Sequence, residues 1–278
     1  MISAAPNKAH THISKLIRNP SIEQLAGAVR ENFCSLMKRM VVSSNWEWSQ
    51  RRDLTYMITD FNVPMFNRVT RTRLTLEKSD QRIMDIIAMY SLKGKGFTWM
   101  LSPKDTPHDL PARLEKAGMM RYEGPGMAIE LNQIKQPAAP KGLEVERVEG
   151  RDRLELFCDI MIRGYPLPDI IADDWKKMMV RMGVDNSLRH YIGHLDGEPV
   201  ATSTILLSDG VAGLYMVATL PEARGKGVGS HMTIHPFKEA EREGYRFGIL
   251  HKTRMGYNVY RKLGFQDSCK MISYEWNP

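Results

Sequence analysis

The sequence predicts a mixed α/β protein built from two similar halves. Three observations lead to this. Across residues 143–278, runs with strand alternation and runs with helical spacing follow one another in the order β-α-α-β-β-β-α-β-α-β. Before them, Ile134-Lys135-Gln136-Pro137-Ala138-Ala139-Pro140-Lys141-Gly142 has the proline, small-residue and glycine content of a short semi-stiff linker. Both sides of that linker also end alike. Leu114-Glu115-Lys116-Ala117-Gly118-Met119 parallels Tyr260-Arg261-Lys262-Leu263-Gly264-Phe265, and strand-like tails follow at 127–131 and 271–276. The expected units are residues 1–134, a linker at 135–142, and residues 143–278, the first half being a degenerate copy of the second.

Taken in order, the first half offers an amphipathic helix with Ile83, Ile86, Ile87 and Tyr90 on one face, followed by a strand at 97–101. Arg68, Arg71 and Arg73 are the densest basic cluster, and the simplest account of them is a solvated strand face. The second half opens on an alternating strand at 143–148. A helix over 151–163 follows, with Leu154, Phe157, Cys158, Met161 and Ile162 on one face. Gly164-Tyr165-Pro166-Leu167-Pro168 breaks it, and another helix carries Trp175, Met178, Met179 and Met182. These methionines are expected in the core, with a pocket lining as the alternative. Strands at 190–195 and 199–207 are joined by the hairpin signal Asp196-Gly197.

Next comes an apolar strand at 213–219, then Arg224-Gly225-Lys226-Gly227-Val228-Gly229-Ser230, then a helix reaching about residue 243. Three glycines in five residues let the backbone turn and approach a ligand without Cβ clashes. Free N–H groups at a helix start, with the positive end of its dipole, form an anion site, and Arg224 and Lys226 add two cations. The segment is a diphosphate cradle by chemistry. It is not a P-loop, because Gly227 rather than Ser or Thr follows Lys226. Nor is it a dinucleotide fingerprint: Met232 stands where the third glycine belongs, and Glu241 and Glu243 fall before the next strand rather than at its end. Within the helix, Pro236 costs about 3 kcal/mol unless the helix gives way, so a kink or break near His235 is expected. A strand at 244–251 follows, then a helix capped by Thr253 and ending at Gly264.

Arg224-x-x-Gly227-x-Gly229, followed about 30 residues later by Tyr260-Arg261-Lys262-Leu263-Gly264-Phe265, resembles the paired motifs of the GNAT superfamily of N-acetyltransferases, over residues 142–278. The resemblance implies a mixed sheet in tandem GNAT-like domains and acetyl-CoA as co-substrate. The loop from Arg224 through Gly225, Lys226, Gly227, Val228, Gly229 and Ser230 would hold its pyrophosphate. Backbone groups of Val217 and Thr219 would pair with the pantetheine amides as an added strand would. Gly256, four residues before Tyr260, would leave room for the pantetheine arm. Thr253 stands where many members carry Asn, which puts its pantetheine contact in doubt. In that chemistry an amine attacks the thioester directly. Backbone N–H groups stabilise the oxyanion, and a tyrosine hydroxyl, here Tyr260, protonates the leaving thiolate. The strand at 213–219 lacks a carboxylate, so His251 is the candidate base, beside the plainer alternative of a packed histidine.

In the first half, Leu114 replaces the tyrosine, and Lys93-Gly94-Lys95-Gly96 sits at a helix C-terminus, whose dipole has the wrong sign for phosphate. That half is expected to bind no acetyl-CoA and to shape the acceptor site.

Composition fits this. At 42% apolar and 26% charged residues the chain has globular character, and no long uncharged apolar window suggests a membrane span. Residues 1–8 lack the apolar core of a signal peptide. Cys34, Cys158 and Cys269 are odd in number and scattered, which suggests neither disulfides nor a metal site, and a reducing cytoplasm is the expected location. The net charge of +7 suits steering of coenzyme A, and its scatter argues against nucleic acid. Expected partners are acetyl-CoA and an amine of a small molecule or peptide. Two alternatives stay open, a non-catalytic acyl-CoA-binding or regulatory module and an enzyme with a longer acyl-CoA donor. Oligomeric state stays open too, since two halves in one chain could imitate a dimer.

Overall fold

A computed structural model describes residues 16–17, 20–123, 126–165, 167–251, 255–269 and 272–278. Before the linker come α1 (Ile22–Ser44), β1 (Glu47–Gln50), β2 (Thr55–Ile58), β3 (Arg68–Thr70), α2 (Ser79–Leu92), β4 (Phe97–Leu101), α3 (Leu110–Lys116), β5 (Met120–Glu123) and β6 (Gly126–Glu130). After it come β7 (Leu143–Arg147), α4 (Arg151–Gly164), α5 (Asp169–Met182), β8 (Leu188–Leu195), β9 (Glu198–Ser208), β10 (Val211–Thr219), α6 (Val228–Arg242), β11 (Phe247–His251), α7 (Tyr257–Leu263), β12 (Gln266–Cys269) and β13 (Ile272–Trp276). Among the described residues no helix is long and apolar enough to cross a membrane.

Local chemistry accounts for most of these elements. Ser21 and Gln24 form a capping box that starts α1. Asp196 and Gly197 both adopt positive φ, as a two-residue hairpin turn requires, and fix the register of β8 on β9. α2 buries Ile83, Ile86, Ile87 and Tyr90 as its periodicity predicts. α4 buries Leu154, Phe157, Cys158 and Met161, leaving Ile162 only partly covered.

Three expectations need correction. Of the kink or break expected near His235, the break is absent: α6 runs through Pro236, which is buried. The proline removes one donor to the Met232 carbonyl, and the packing of Met232, Phe237 and Ala240 against the sheet outweighs that single loss. β11 begins at Phe247 rather than residue 244, because Gly244 takes positive φ and terminates α6. The helix carrying Tyr260 starts at Tyr257 with Gly256 as its N-cap. Thr253 and Arg254, expected at its start, lie outside the described residues, as do Pro166 and Met271.

The strands form two mixed sheets, ordered β1-β2-β3-β4-β13-β5 and β12-β6-β11-β10-β9-β8-β7. The two tails that look alike in sequence are thus exchanged. β13 lies antiparallel between β4 and β5, with Tyr274 opposite Trp99 on one side and Arg121 on the other. β6 fills the matching slot between β11 and β12, with Ala128 opposite Ile249 and Gln266. Only residues 124–125 separate β5 from β6, and 270–271 separate β12 from β13, so in each case the chain leaves one sheet and enters the other directly. The linker divides the chain in sequence, but one strand from each side belongs to the other side's sheet.

The second sheet is covered by α6 on one face and by α4 and α5 on the other. α1 joins the latter face, with Leu36 and Met40 in the same apolar cluster as Phe157 and Trp175. Its fully buried Asn32 donates to the carbonyls of Leu206 (3.1 Å) and Ser208 (3.0 Å) and accepts from the Tyr215 hydroxyl at 2.7 Å. This approach requires Gly213. A methyl there would drive into the Asn32 carboxamide oxygen and sit 2.8 Å from the Tyr215 ring. Gly213→Ala is expected to lower stability by about 1–3 kcal/mol, read as a reduced urea midpoint. An unchanged midpoint would show that α1 does not depend on this contact.

Candidate active site

β10 organises the site because it parts from both neighbours near its middle. Its parallel pairing with β11 covers only Ala212 to Leu214, opposite Gly248 to Leu250. Its pairing with β9 shifts register between Tyr215 and Ala218. Met216 takes a positive φ of 51° inside this bulge, and Thr202 Oγ1 secures it by donating to the Met216 carbonyl at 3.0 Å. Beyond Leu214, β10 has no pairing with β11 among the described residues.

The glycine loop lies between β10 and α6. A 3-10 turn over Pro221–Ala223 leads from β10 to the loop, and Gly227 caps α6 in the left-handed region (φ 84°) without any side-chain cap. The first-turn N–H groups of α6 are therefore available to an anion. The nearest atom to a Cβ added at Gly227 would be Pro140 Cγ at 3.6 Å, so backbone conformation and not crowding selects glycine there. The two expected cations differ. Arg224 braces the loop, its Nε donating to the Thr219 carbonyl at 2.9 Å and its Nη2 to the Gly164 carbonyl at 3.0 Å. Lys226 is exposed beside Gly225. Val228 is buried, and Gly229 and Ser230 are half-buried at the helix start. An open loop, an uncapped helix N-terminus and a cation fit an elongated diphosphate ligand. In the first half, Lys93–Gly96 follows the C-terminus of α2, the opposite dipole end.

Beside the middle of β10 lies a cavity of about 340 Å³. Val217 and Leu214 of β10, His251 at the end of β11 and Tyr260 of α7 all line it. The Tyr260 ring packs edge-on against Phe265, with centroids 6.0 Å apart. Burial pushes its phenol up to about 12, and its hydroxyl makes no hydrogen bond among the described residues. The His251 ring lies 4.9 Å from Phe33 and 6.3 Å from Tyr215, centroid to centroid. Its Nε2 is buried and has no hydrogen-bond partner among the described residues. Burial, and next the nearby charge of Arg68, push its pKa down to about 4, so the imidazole is neutral at pH 7. Thr219 pairs with Ala201 on its β9 side. Thr253 lies outside the described residues.

Much of the remaining wall comes from the first half, through Phe33 and Met37 of α1, Met57 of β2 and Arg68 of β3. Tyr165, Met161 and Trp175 complete it from α4, the segment after it and α5. Sequence reasoning finds none of the first-half residues. The arginine cluster shows why. Arg71 turns to positive φ and pairs with Glu31, Arg73 borders a different opening, and Arg68 alone faces this cavity. No periodicity separates these three fates.

A family model described as an acetyltransferase (GNAT) domain matches residues 132–252, a span that includes the glycine loop and His251 and stops before Tyr260. Solved structures extend the likeness to nearly the whole chain. A GCN5-related N-acetyltransferase from Kribbella flavida superposes with a TM-score of 0.69 at 19% identity, over 89% of this chain and 95% of that one. A tandem GNAT protein from the clavulanic acid biosynthesis pathway gives 0.59 at 14% identity, over 80% and 78%. A Drosophila protein gives 0.56 at 12% identity, over 99% and 98%. At these identities the structures establish the fold, that of tandem GNAT proteins. No curated protein matches the sequence.

Proposed function

We propose that this chain is an acyltransferase of the GNAT superfamily, the family whose domain model matches residues 132–252, and that it transfers the acetyl group of acetyl-CoA to an amine at the site beside β10 and β11. One observation carries this reading. β10 runs from a cavity lined by Tyr260 and His251, whose hydroxyl and Nε2 have no hydrogen-bond partner among the described residues, toward the glycine loop and the uncapped start of α6.

The residues divide the work as follows. The first-turn N–H groups from Val228 to Ser230, with Lys226, hold the diphosphate, and Arg224 keeps their loop in place. The β10 edge that faces away from β9 at Val217 and Thr219 offers backbone groups to the pantetheine amides. Acetyl-CoA, when bound, supplies the activated acetyl thioester. Tyr260 keeps its proton at every physiological pH, because its phenol is raised to about 12, and can donate it to the departing thiolate. His251 is neutral and accepts from the incoming amine through Nε2. A pKa near 4 makes it a weak base, so the amine is best bound already neutral. The lining from α1, β2 and β3 supports a role for the first half in shaping the acceptor side.

The test is calorimetric binding of acetyl-CoA together with release of coenzyme A thiol over a panel of amines. Saturable binding with thiol release for at least one amine is expected, and absence of acetyl-CoA binding refutes the proposal. Binding without thiol release for any amine would favour a non-catalytic acyl-CoA-binding module. Tighter binding and faster release with succinyl-CoA would favour a longer donor.

A further inference from the structure

We propose that the acceptor is an apolar amino acid, or a similarly compact amine bearing a carboxylate, and that Arg68 binds the carboxylate; this deepens the N-acetyltransferase reading and rests on it. Arg68 projects from β3 into a cavity whose other walls are mostly Met, Leu, Phe and Trp side chains. Its guanidinium carbon stands 5.0 Å from the centroid of the Phe33 ring, a cation–π contact. Among the described residues no carboxylate reaches it at ion-pair distance, and it donates no hydrogen bond. Glu275 acts on it only through space, and that carboxylate accepts from Asn277 Nδ2 at 3.0 Å.

Other shielded arginines among the described residues differ. Arg30 meets Glu31 at 3.0 Å and Asp105 at 3.5 Å, Arg39 meets Asp185 at 2.7 Å, and Arg189 meets Glu243 at 2.6 Å. Arg68 is the exception among them, and it faces the candidate active site. Burial lowers its pKa to about 10, which leaves it charged at pH 7. A cation held among apolar walls without a counter-ion is costly until an anion meets it. A guanidinium presents a planar fork that matches a carboxylate through two parallel hydrogen bonds.

The remaining space suits a small ligand. At about 340 Å³ the cavity lies at the lower end for ligand sites, enough for one amino-acid side chain among methionines that adapt to its shape. Arg68 and His251 face the same cavity, and the charge of Arg68 acts on the imidazole. A compact molecule can therefore place its carboxylate on the guanidinium and its amine toward the imidazole. Neutralising Arg68 would also remove one of the two influences that depress His251, making it a better proton acceptor once the acceptor is bound.

The experiment compares matched ligands on the coenzyme A-loaded protein. Leucine, methionine and phenylalanine are titrated against their carboxamides by calorimetry. The acids are expected to bind about ten- to a hundredfold more tightly, the range of one charge-assisted pair. Arg68→Leu should bind acid and amide alike, and Arg68→Lys should keep part of the preference. Equal affinity for acid and amide in the wild type, no measurable binding of either, or a preference that survives in Arg68→Leu overturns the proposal. The wild-type comparison decides even if a variant fails to fold. Because the readout is binding without turnover, its failure is separable from failure of the acetyltransferase reading, which the acetyl-CoA titration and thiol release judge independently.

Discussion

Produced separately, residues 1–134 and residues 143–278 are each expected to lack a stable fold, and to regain one when produced together. Each piece would leave an empty slot in its own sheet, between β4 and β5 in one and between β11 and β12 in the other. Each would also carry a strand with no sheet to join. The first piece would lose Tyr274, which is fully buried among Trp99, Phe97 and Leu114, and the second would lose Met127 and Ile129 from the core beneath α6. A fully buried side chain of this size contributes about 1.5–3 kcal/mol. Two or three such losses, plus two rows of unpaired backbone groups, rival the roughly 5–15 kcal/mol that holds a typical domain together. Urea melts followed by circular dichroism, and gel filtration of the co-produced pair, provide the check. A cooperative melt from either piece alone would refute the expectation.

Tyr260→Phe is expected to lower kcat by about a hundredfold or more, within the range for loss of a positioned general acid. The affinity for acetyl-CoA should hold, because Tyr260 is not part of the loop that would bind the diphosphate, and it does not line the start of α6. The fold should hold as well. Phenylalanine keeps the edge-on contact with Phe265, and the lost hydroxyl has no protein partner among the described residues. Steady-state kinetics with both substrates varied would separate kcat from KM. Unchanged turnover would remove Tyr260 from the chemistry. The sign of the pH response follows from the raised phenol. The tyrosine is a donor only while protonated, and its pKa near 12 keeps it so across the neutral and mildly alkaline range. Any fall in rate between pH 7 and 9 would therefore belong to another group.

The parts of this molecule legible in its sequence are those that local chemistry fixes. The glycine loop, the Asp196-Gly197 turn and the buried faces of α2 and α4 follow from backbone conformation and periodicity. The likeness of the two tails at 127–131 and 271–276 is legible for the same reason. Their exchange is not. A pattern of apolar residues specifies a strand competent to pair, and two similar strands suit either of two similar slots, so the choice of partner is made by the whole chain. Pro236 shows tertiary packing outweighing a local cost that sequence rules apply correctly in isolation. Arg68 shows the same override in a charge: in sequence it reads as a solvent-facing arginine, and in the fold residues of α1 and β10 line the cavity around it. The bulge at Met216, which opens the site, has no glycine or proline to announce it, since Thr202 on the adjacent strand holds it.

The exchanged strands also set an order of events during synthesis. The ribosome makes β4 and β5 long before β13, so the first sheet waits with the place between them vacant while the rest of the chain is translated. Cotranslational folding that ordinarily completes an early unit before a later one begins cannot finish here. Until β13 emerges, the flanks of that slot expose unpaired strand edges, the kind of surface that chaperones shield. A nascent chain stopped short of β13 is then an unfinished molecule in its first sheet, although the glycine loop has already been translated.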